Sequence, residues 1–178
     1  MTDAEFQAAF DAHKDAVYRF AWRMASPADA EDLTQEVFLA LLRDPNRFDP
    51  RRGSLRAFLL GIARNLALKR WRTAHRLEPL DDEEDTGRAS YGSHSASYEP
   101  LTIEQREMSE LVGEAVRALP PLQREAVILA EYEELSLEEI AQLVDTTVGT
   151  VKSRLHRGRE NLRKMLAPLR SVGGPRLR

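Results

Sequence analysis

"SLEEIAQLVDTTVGTVKSRLHRGRENLRKML", residues 136–166, decides the fold. Ser136 followed three residues later by Glu139 is a capping box, the reciprocal pairing that opens a helix. Leu137, Ile140, Ala141 and Val144 then give a short helix one apolar side. Asp145 and Thr146 read as a tight turn, and Thr147 as the cap of the next helix. At about 100° per residue, Val148, Val151, Leu155, Leu162 and Leu166 share one side of that helix. Gly149, Thr150, Ser153, Arg157 and Lys164 lie opposite, flanked by Lys152, Arg154 and His156. Two helices joined by a three-to-four-residue turn form a helix-turn-helix. Small polar residues at a helix start let the backbone approach a groove floor, and arginines further along reach base edges or phosphates. Basic residues late in a helix also complement its dipole, and such faces are commonly just solvated. The conjunction of capping box, short helix, turn, small polar start and basic outer face favours DNA reading.

Upstream, Met108, Leu111, Val112, Ala115, Val116 and Leu119 form a stripe stopped by Pro120 and Pro121, and a further helix covers roughly 122–131. The preceding stretch "LEPLDDEEDTGRASYGSHSASYEP", residues 77–100, joins an acid run to Gly, Ser and Pro without an apolar period. It reads as a flexible linker. Residues 76–110 hold 3 Lys/Arg against 10 Asp/Glu, so a formal net charge of −3 conceals mildly basic flanks. Before the linker the pattern is helical again. Phe6, Phe10, Val17, Phe20, Ala21 and Met24 mark a first helix over 3–24. Ser26, Pro27 and Asp29 predict that a second begins there and runs to about Arg43. "DPNRFDPRRGS", residues 44–54, is a loop, and Leu55, Phe58, Leu59, Ile62 and Leu66 mark a third helix to about Arg72. The expected fold is all-α: two small helical domains joined by a flexible acidic linker, the C-terminal one containing the helix-turn-helix.

Composition narrows the function. The chain of 178 residues has no cysteine, which excludes disulfides, thiolate metal sites and thiol nucleophiles. His13, His75, His94 and His156 are too dispersed for a local ligand motif, so no metal and no cofactor is expected. No phosphate-binding loop or dinucleotide fingerprint occurs, and carboxylate pairs such as Asp81 with Asp82 sit in the linker; the protein is not expected to be an enzyme. No apolar run approaches a membrane span and "MTDAEFQAAF" is unlike a signal peptide, which predicts a cytoplasmic protein with no membrane insertion.

Within the second helix, Leu33, Val37, Ala40 and Leu41 form the core side, while Phe38, Leu39 and Leu42 point elsewhere beside Asp32, Gln35 and Glu36. An apolar patch rimmed by acids suggests a protein partner, although neighbouring helices covering both sides give the same pattern.

"LPPLQREAVILAEYEELSLEEIAQLVDTTVGTVKSRLHRGRENLRKML" resembles the fourth domain of bacterial RNA polymerase sigma factors of the extracytoplasmic-function (ECF) group. "SPADAEDLTQEVFLALLRDPNRFDPRRGSLRAFLLGIARNLALKRWR" resembles their second domain, in the same order and with the same kind of linker between. The resemblance divides the chain into a second domain at 1–75, a linker and lead-in at 76–108, a fourth domain at 109–170 and a short tail at 171–178. It implies that Asp32, Gln35, Glu36, Phe38 and Leu42 dock on the coiled coil of the largest subunit of core polymerase. It implies that Arg51, Arg52, Ser54, Arg64 and Asn65 read the −10 element, where a base of the non-template single strand is flipped out, with Lys69, Arg70 and Arg72 on phosphates. The recognition helix is then the reader of the duplex −35 element, with Thr150, Ser153 and Arg157 on bases, Lys152, Arg154 and Arg159 on the backbone and Thr147 at the helix start. Arg124 suits either a phosphate or a surface ion pair. Trp71 suits packing at the bundle edge better than base stacking, and Phe48 suits a loop anchor.

One departure stands out. The family's turn carries a glycine and then an aliphatic residue, where this chain has Asp145 and Thr146. Aspartate tolerates the left-handed conformation, so the turn is expected to survive. The expected partners are core polymerase, promoter DNA and an anti-sigma factor. The rival readings are a helix-turn-helix regulator that binds duplex operators without polymerase, and a helical adaptor that binds polymerase or an anti-sigma factor but not DNA.

Overall fold

The computed structural model describes residues 2–75 and 102–172, and among these every regular element is helical. The linker expected at 77–100 and most of the tail at 171–178 lie outside the described residues. Helix α1 (Asp3–Met24) opens with a Thr2–Glu5 capping box and buries Val17, Phe20, Ala21 and Met24. Helix α2 (Ala30–Arg43) starts later than the Ser26 signal predicts. The Ser26 hydroxyl is spent on a separate turn, accepting from the Asp29 amide at 3.1 Å and donating to the Asp29 carboxylate at 2.6 Å. After a 3-10 turn at Pro45–Arg47, Ser54 caps α3 (Leu55–Ala74) by accepting from the Ala57 amide at 3.1 Å. Phe48 is the loop anchor, its ring 5.6 Å from Phe58.

Helix α4 (Ile103–Arg117) begins before the stripe that starts at Met108, because Thr102 and Gln105 form a second capping box. Ala115, Val116 and Leu119 of that stripe are buried, but Met108 and Leu111 stay exposed, since only the C-terminal half of α4 meets the core. Helix α5 (Pro121–Val127) passes into a π turn at Ile128–Tyr132, and Glu134 reverses the chain at φ +55°. The helix-turn-helix follows as α6 (Leu137–Leu143) and α7 (Val148–Val172). Its turn behaves as the sequence predicts: Asp145 takes φ +55°, the Thr146 amide donates to the Ala141 carbonyl at 3.0 Å, and Thr147 caps α7 through the Thr150 amide at 3.1 Å.

Gly158 sets the spacing of α5 and α7. A Cβ there would lie 2.7 Å from Val127 Cγ2 and 3.3 Å from the Gln123 carbonyl oxygen. Val127 is buried and stiff, so the overlap is relieved only by parting the helices. Gly158→Ala is expected to destabilise the chain by about 1–2 kcal/mol, an overpacking cost of about 1–3 kcal/mol reduced by alanine's better helix propensity. The midpoint of urea unfolding measures it; an unchanged or higher midpoint would show that the crossing can relax.

The two halves share a core. Phe20, Leu59, Leu60 and Ala63 from the first pack in one apolar cluster with Val116, Ile128, Leu129, Ile140 and Val151 from the second. Polar contacts frame this seam. The Arg117 guanidinium lies 4.3 Å over the Trp22 ring, that of Arg23 lies 4.1 Å over Tyr132, and Arg124 donates to the Met24 carbonyl at 2.7 Å.

Candidate DNA-reading and docking surfaces

The outer face of α2 carries exposed Asp32, Gln35 and Glu36 beside Leu39 and Leu42, which are 45% and 50% exposed. Phe38 is not part of this patch. It is 3% exposed and meets Phe10 edge-on at 4.8 Å and Phe6 at 6.4 Å, because α1 covers that side of α2. Glu36 accepts from Arg70 at 2.6 Å, and Arg70 also reaches Asp29 at 3.3 Å. Arg70, expected on phosphate, is thus tied to the acids of α2.

The loop after α2 and the outer side of α3 present exposed Arg51, Arg52, Ser54, Asn65, Lys69 and Arg72. Arg51 forks onto Asp49 at 3.0 and 3.2 Å, and with the Arg51 amide it holds the Asp49 carboxyl below its ordinary range. Trp71 is half-buried and stacks on His75 one turn further along the same helix, the rings 4.5 Å apart. Arg47, Arg52, Ser54 and Asn65 line one side of a cleft of about 770 Å³, and Glu139, Gln142 and Asp145 of the helix-turn-helix line the other. A basic loop therefore faces an acidic edge of the second half.

Arg64 does not join the exposed set. Its Nε donates to Glu125 Oε2 at 2.7 Å and a terminal nitrogen to Oε1 at 3.2 Å, while Arg154 reaches the same carboxylate at 3.4 Å. Glu125 is 1% exposed, and the Arg64 and Arg154 side chains are 16% and 14% exposed. Two arginines expected on different DNA elements thus meet at one buried carboxylate. Arg124 also turns inward, its fork donating to the Leu119 carbonyl at 3.0 Å besides the Met24 carbonyl. A parallel tie joins Arg56 to Glu133, by hydrogen bonds to its carboxylate and to its backbone carbonyl. Burial pushes the Glu133 carboxyl above its ordinary range, with Arg56, Arg23 and Arg19 pulling the other way.

On α7, Gly149, Lys152, Ser153, His156, Arg157, Arg159 and Lys164 face solvent. Thr150 is half-buried, its hydroxyl 3.0 Å from that of Thr147. Arg159 is exposed and bonded to Glu131 at 2.8 Å. The start of α7 thus combines an open backbone at Gly149 with small hydroxyls and cations on one face, the requirements for entering a major groove. Glu125, Glu133 and Arg56 were not singled out from sequence. Glu125 follows Gln123 and Arg124 in sequence, so the local pattern gave no sign that this one carboxylate is buried and must find a partner.

The chain matches the Sigma-70 region 2 model over residues 9–77 and the Sigma-70 region 4 model over residues 109–162. It is 39% identical over 158 residues to the ECF RNA polymerase sigma factor SigE of Mycolicibacterium smegmatis, spanning 87% of this chain but 59% of that relative. It is 34% identical to ECF sigma factor SigW of Bacillus subtilis over 89% of this chain and 87% of SigW. Among solved structures, the sigma factor RpoE of Bartonella quintana, in complex with the anti-sigma factor NepR, superposes with a TM-score of 0.73 at 27% identity, over 92% of this chain and 97% of RpoE. With the helix-turn-helix, the acid-rimmed α2 face and both domain matches in the same order along one polypeptide, the chain belongs to the ECF family of RNA polymerase sigma factors.

Proposed function

We propose that this sigma factor binds core RNA polymerase through Asp32, Gln35, Glu36 and Leu42, reads and helps to melt the −10 element with the 44–54 loop and α3, and reads the −35 element with α7. The observation that carries this is the simultaneous exposure of the acid-rimmed α2 face, the basic loop and the start of α7. An operator-binding regulator has no use for the first two. The work is recognition, directed at polymerase, duplex promoter DNA and the non-template strand, and it takes place in the cytoplasm. The likeness to RpoE, solved with NepR, supports an anti-sigma protein as a further partner.

Run-off transcription with purified core polymerase on genomic fragments tests the proposal; discrete starts that depend on this protein support it, and none on any fragment would refute it. Arg157→Ala reports on readout. If the side chain pairs with one base in a bidentate fashion, the loss is about 1–3 kcal/mol and preference relaxes at one promoter position. Equal weakening on every promoter variant would assign Arg157 to a phosphate.

A further inference from the structure

We propose that Gln123 and Asn161 are positioning residues for −35 readout: their hydrogen bond, on a polar stripe between α5 and α7, fixes the rotation of the recognition helix about its own axis. The proposal rests on the assignment of α7 to the −35 element.

One stripe by which α7 meets α5 carries no large apolar side chain. Arg154, Gly158 and Asn161 stand at i, i+4 and i+7, one above another on the same side of the helix. Asn161 Nδ2 donates to Gln123 Oε1 at 2.9 Å, and Arg154 reaches Glu125 at 3.4 Å. Between them the α7 backbone comes so close at Gly158 that a Cβ would lie 2.7 Å from Val127. Gln123 and Glu125 are 3% and 1% exposed, and no buried side-chain atom of either lacks a hydrogen bond. An apolar residue at 123 would hold α7 to α5 without the cost of burying an amide. What the amide adds is direction.

Val151 and Leu155 are buried and keep α7 on its domain, but apolar contact is non-directional, and packing tolerates small shifts before stability is lost. A hydrogen bond is less tolerant. A turn of about 20° moves an atom about 6 Å from a helix axis by about 2 Å. Such a displacement breaks the Gln123–Asn161 bond, and it carries the exposed Ser153 and Arg157 away from base edges by at least as much. A satisfied buried polar contact thus sets which side chains enter the groove. Gln123, buried as it is, acts only through α7.

Gln123→Leu, Asn161→Leu and the double variant are compared with the parent, each as holoenzyme, on a promoter giving discrete run-off products and on single-base variants of its −35 element. Each single substitution leaves one polar partner behind, so the melting temperature of the free chain is expected to fall. The two leucines together pack as an apolar pair and restore most of it. Base discrimination follows a different course. It is expected to fall about tenfold in all three variants, the scale of one misplaced base contact. The loss spreads over two or more −35 positions, because the whole helix turns, and the double variant discriminates no better than the single ones. If a single variant does not fold by circular dichroism, the double variant decides. A double variant that melts like the parent and keeps its −35 preference overturns the proposal. Discrimination that merely tracks melting temperature across the three variants also overturns it, since the pair is then only structural. A parent holoenzyme indifferent to the −35 sequence overturns the assignment of α7 and this inference together, whereas a discriminating parent beside equally discriminating variants overturns this inference alone.

Discussion

A chain carrying Asp32→Lys and Glu36→Lys is expected to lose core polymerase binding and promoter-dependent transcription while keeping its helical content and a melting temperature close to the parent's. Asp32 is exposed and has no packing role, and the Glu36–Arg70 pair that is sacrificed is itself solvent-accessible, worth at most about 1 kcal/mol. If these acids meet basic groups of polymerase, as proposed, two lysines replace attraction by repulsion, and like-charge juxtaposition costs several kcal/mol of binding. Leu39 and Leu42 remain in place, so persistence of binding would show that the apolar part of α2 suffices or that the patch is not the docking surface. Pull-down with purified core polymerase and run-off transcription distinguish these outcomes.

Ile140→Ala is expected to have the largest effect on stability, about 2–5 kcal/mol. Helix α6 has seven residues and buries only Ile140 and Ala141 within its span, so Ile140 carries most of its attachment to the common core. At a typical sensitivity for a chain of this size, the melting temperature falls by roughly 5–15 °C. Function is expected to fail unevenly. The seating of α7 against α6 degrades first, so dependence on the −35 sequence is expected to be lost before polymerase binding, which the proposal assigns to α2 in the other half. Thermal melts combined with transcription from templates with intact and scrambled −35 sequences measure both. A melting temperature within a degree of the parent's would contradict the assigned packing of α6.

These expectations separate what local sequence could reveal from what it could not. The helix-turn-helix was legible because each determinant acts over a few residues: the Ser136–Glu139 box, the left-handed Asp145 and the Thr147 cap all close within one turn of chain. The exposed acids of α2 were legible from the same helical period that placed Leu33, Val37 and Leu41 in the core. Phe38 was misplaced because its burial depends on α1 supplying Phe6 and Phe10 across a helix interface. Arg64 and Arg154 looked like free cations because their shared partner, Glu125, is 61 residues from the first and 29 from the second. That pairing arises from how the halves dock, and periodicity within either half carries no information about docking. Arg124 follows the same rule, since its acceptor at Met24 belongs to the other half.

The central claim, that this chain recognises promoters as part of polymerase, is tested most directly by titrating full-length protein and the reconstituted holoenzyme on one promoter fragment at a fixed salt concentration. The fragment is chosen from those giving discrete run-off products, and both duplex binding and strand opening are followed. The account predicts weak, nonspecific binding by the free chain, whose two halves are packed on a shared core rather than set to the spacing of the promoter elements, and specific, strand-opening binding by the holoenzyme. Tight, sequence-specific duplex binding by the free chain, unimproved by polymerase and without strand opening, would contradict it and favour an operator-binding regulator.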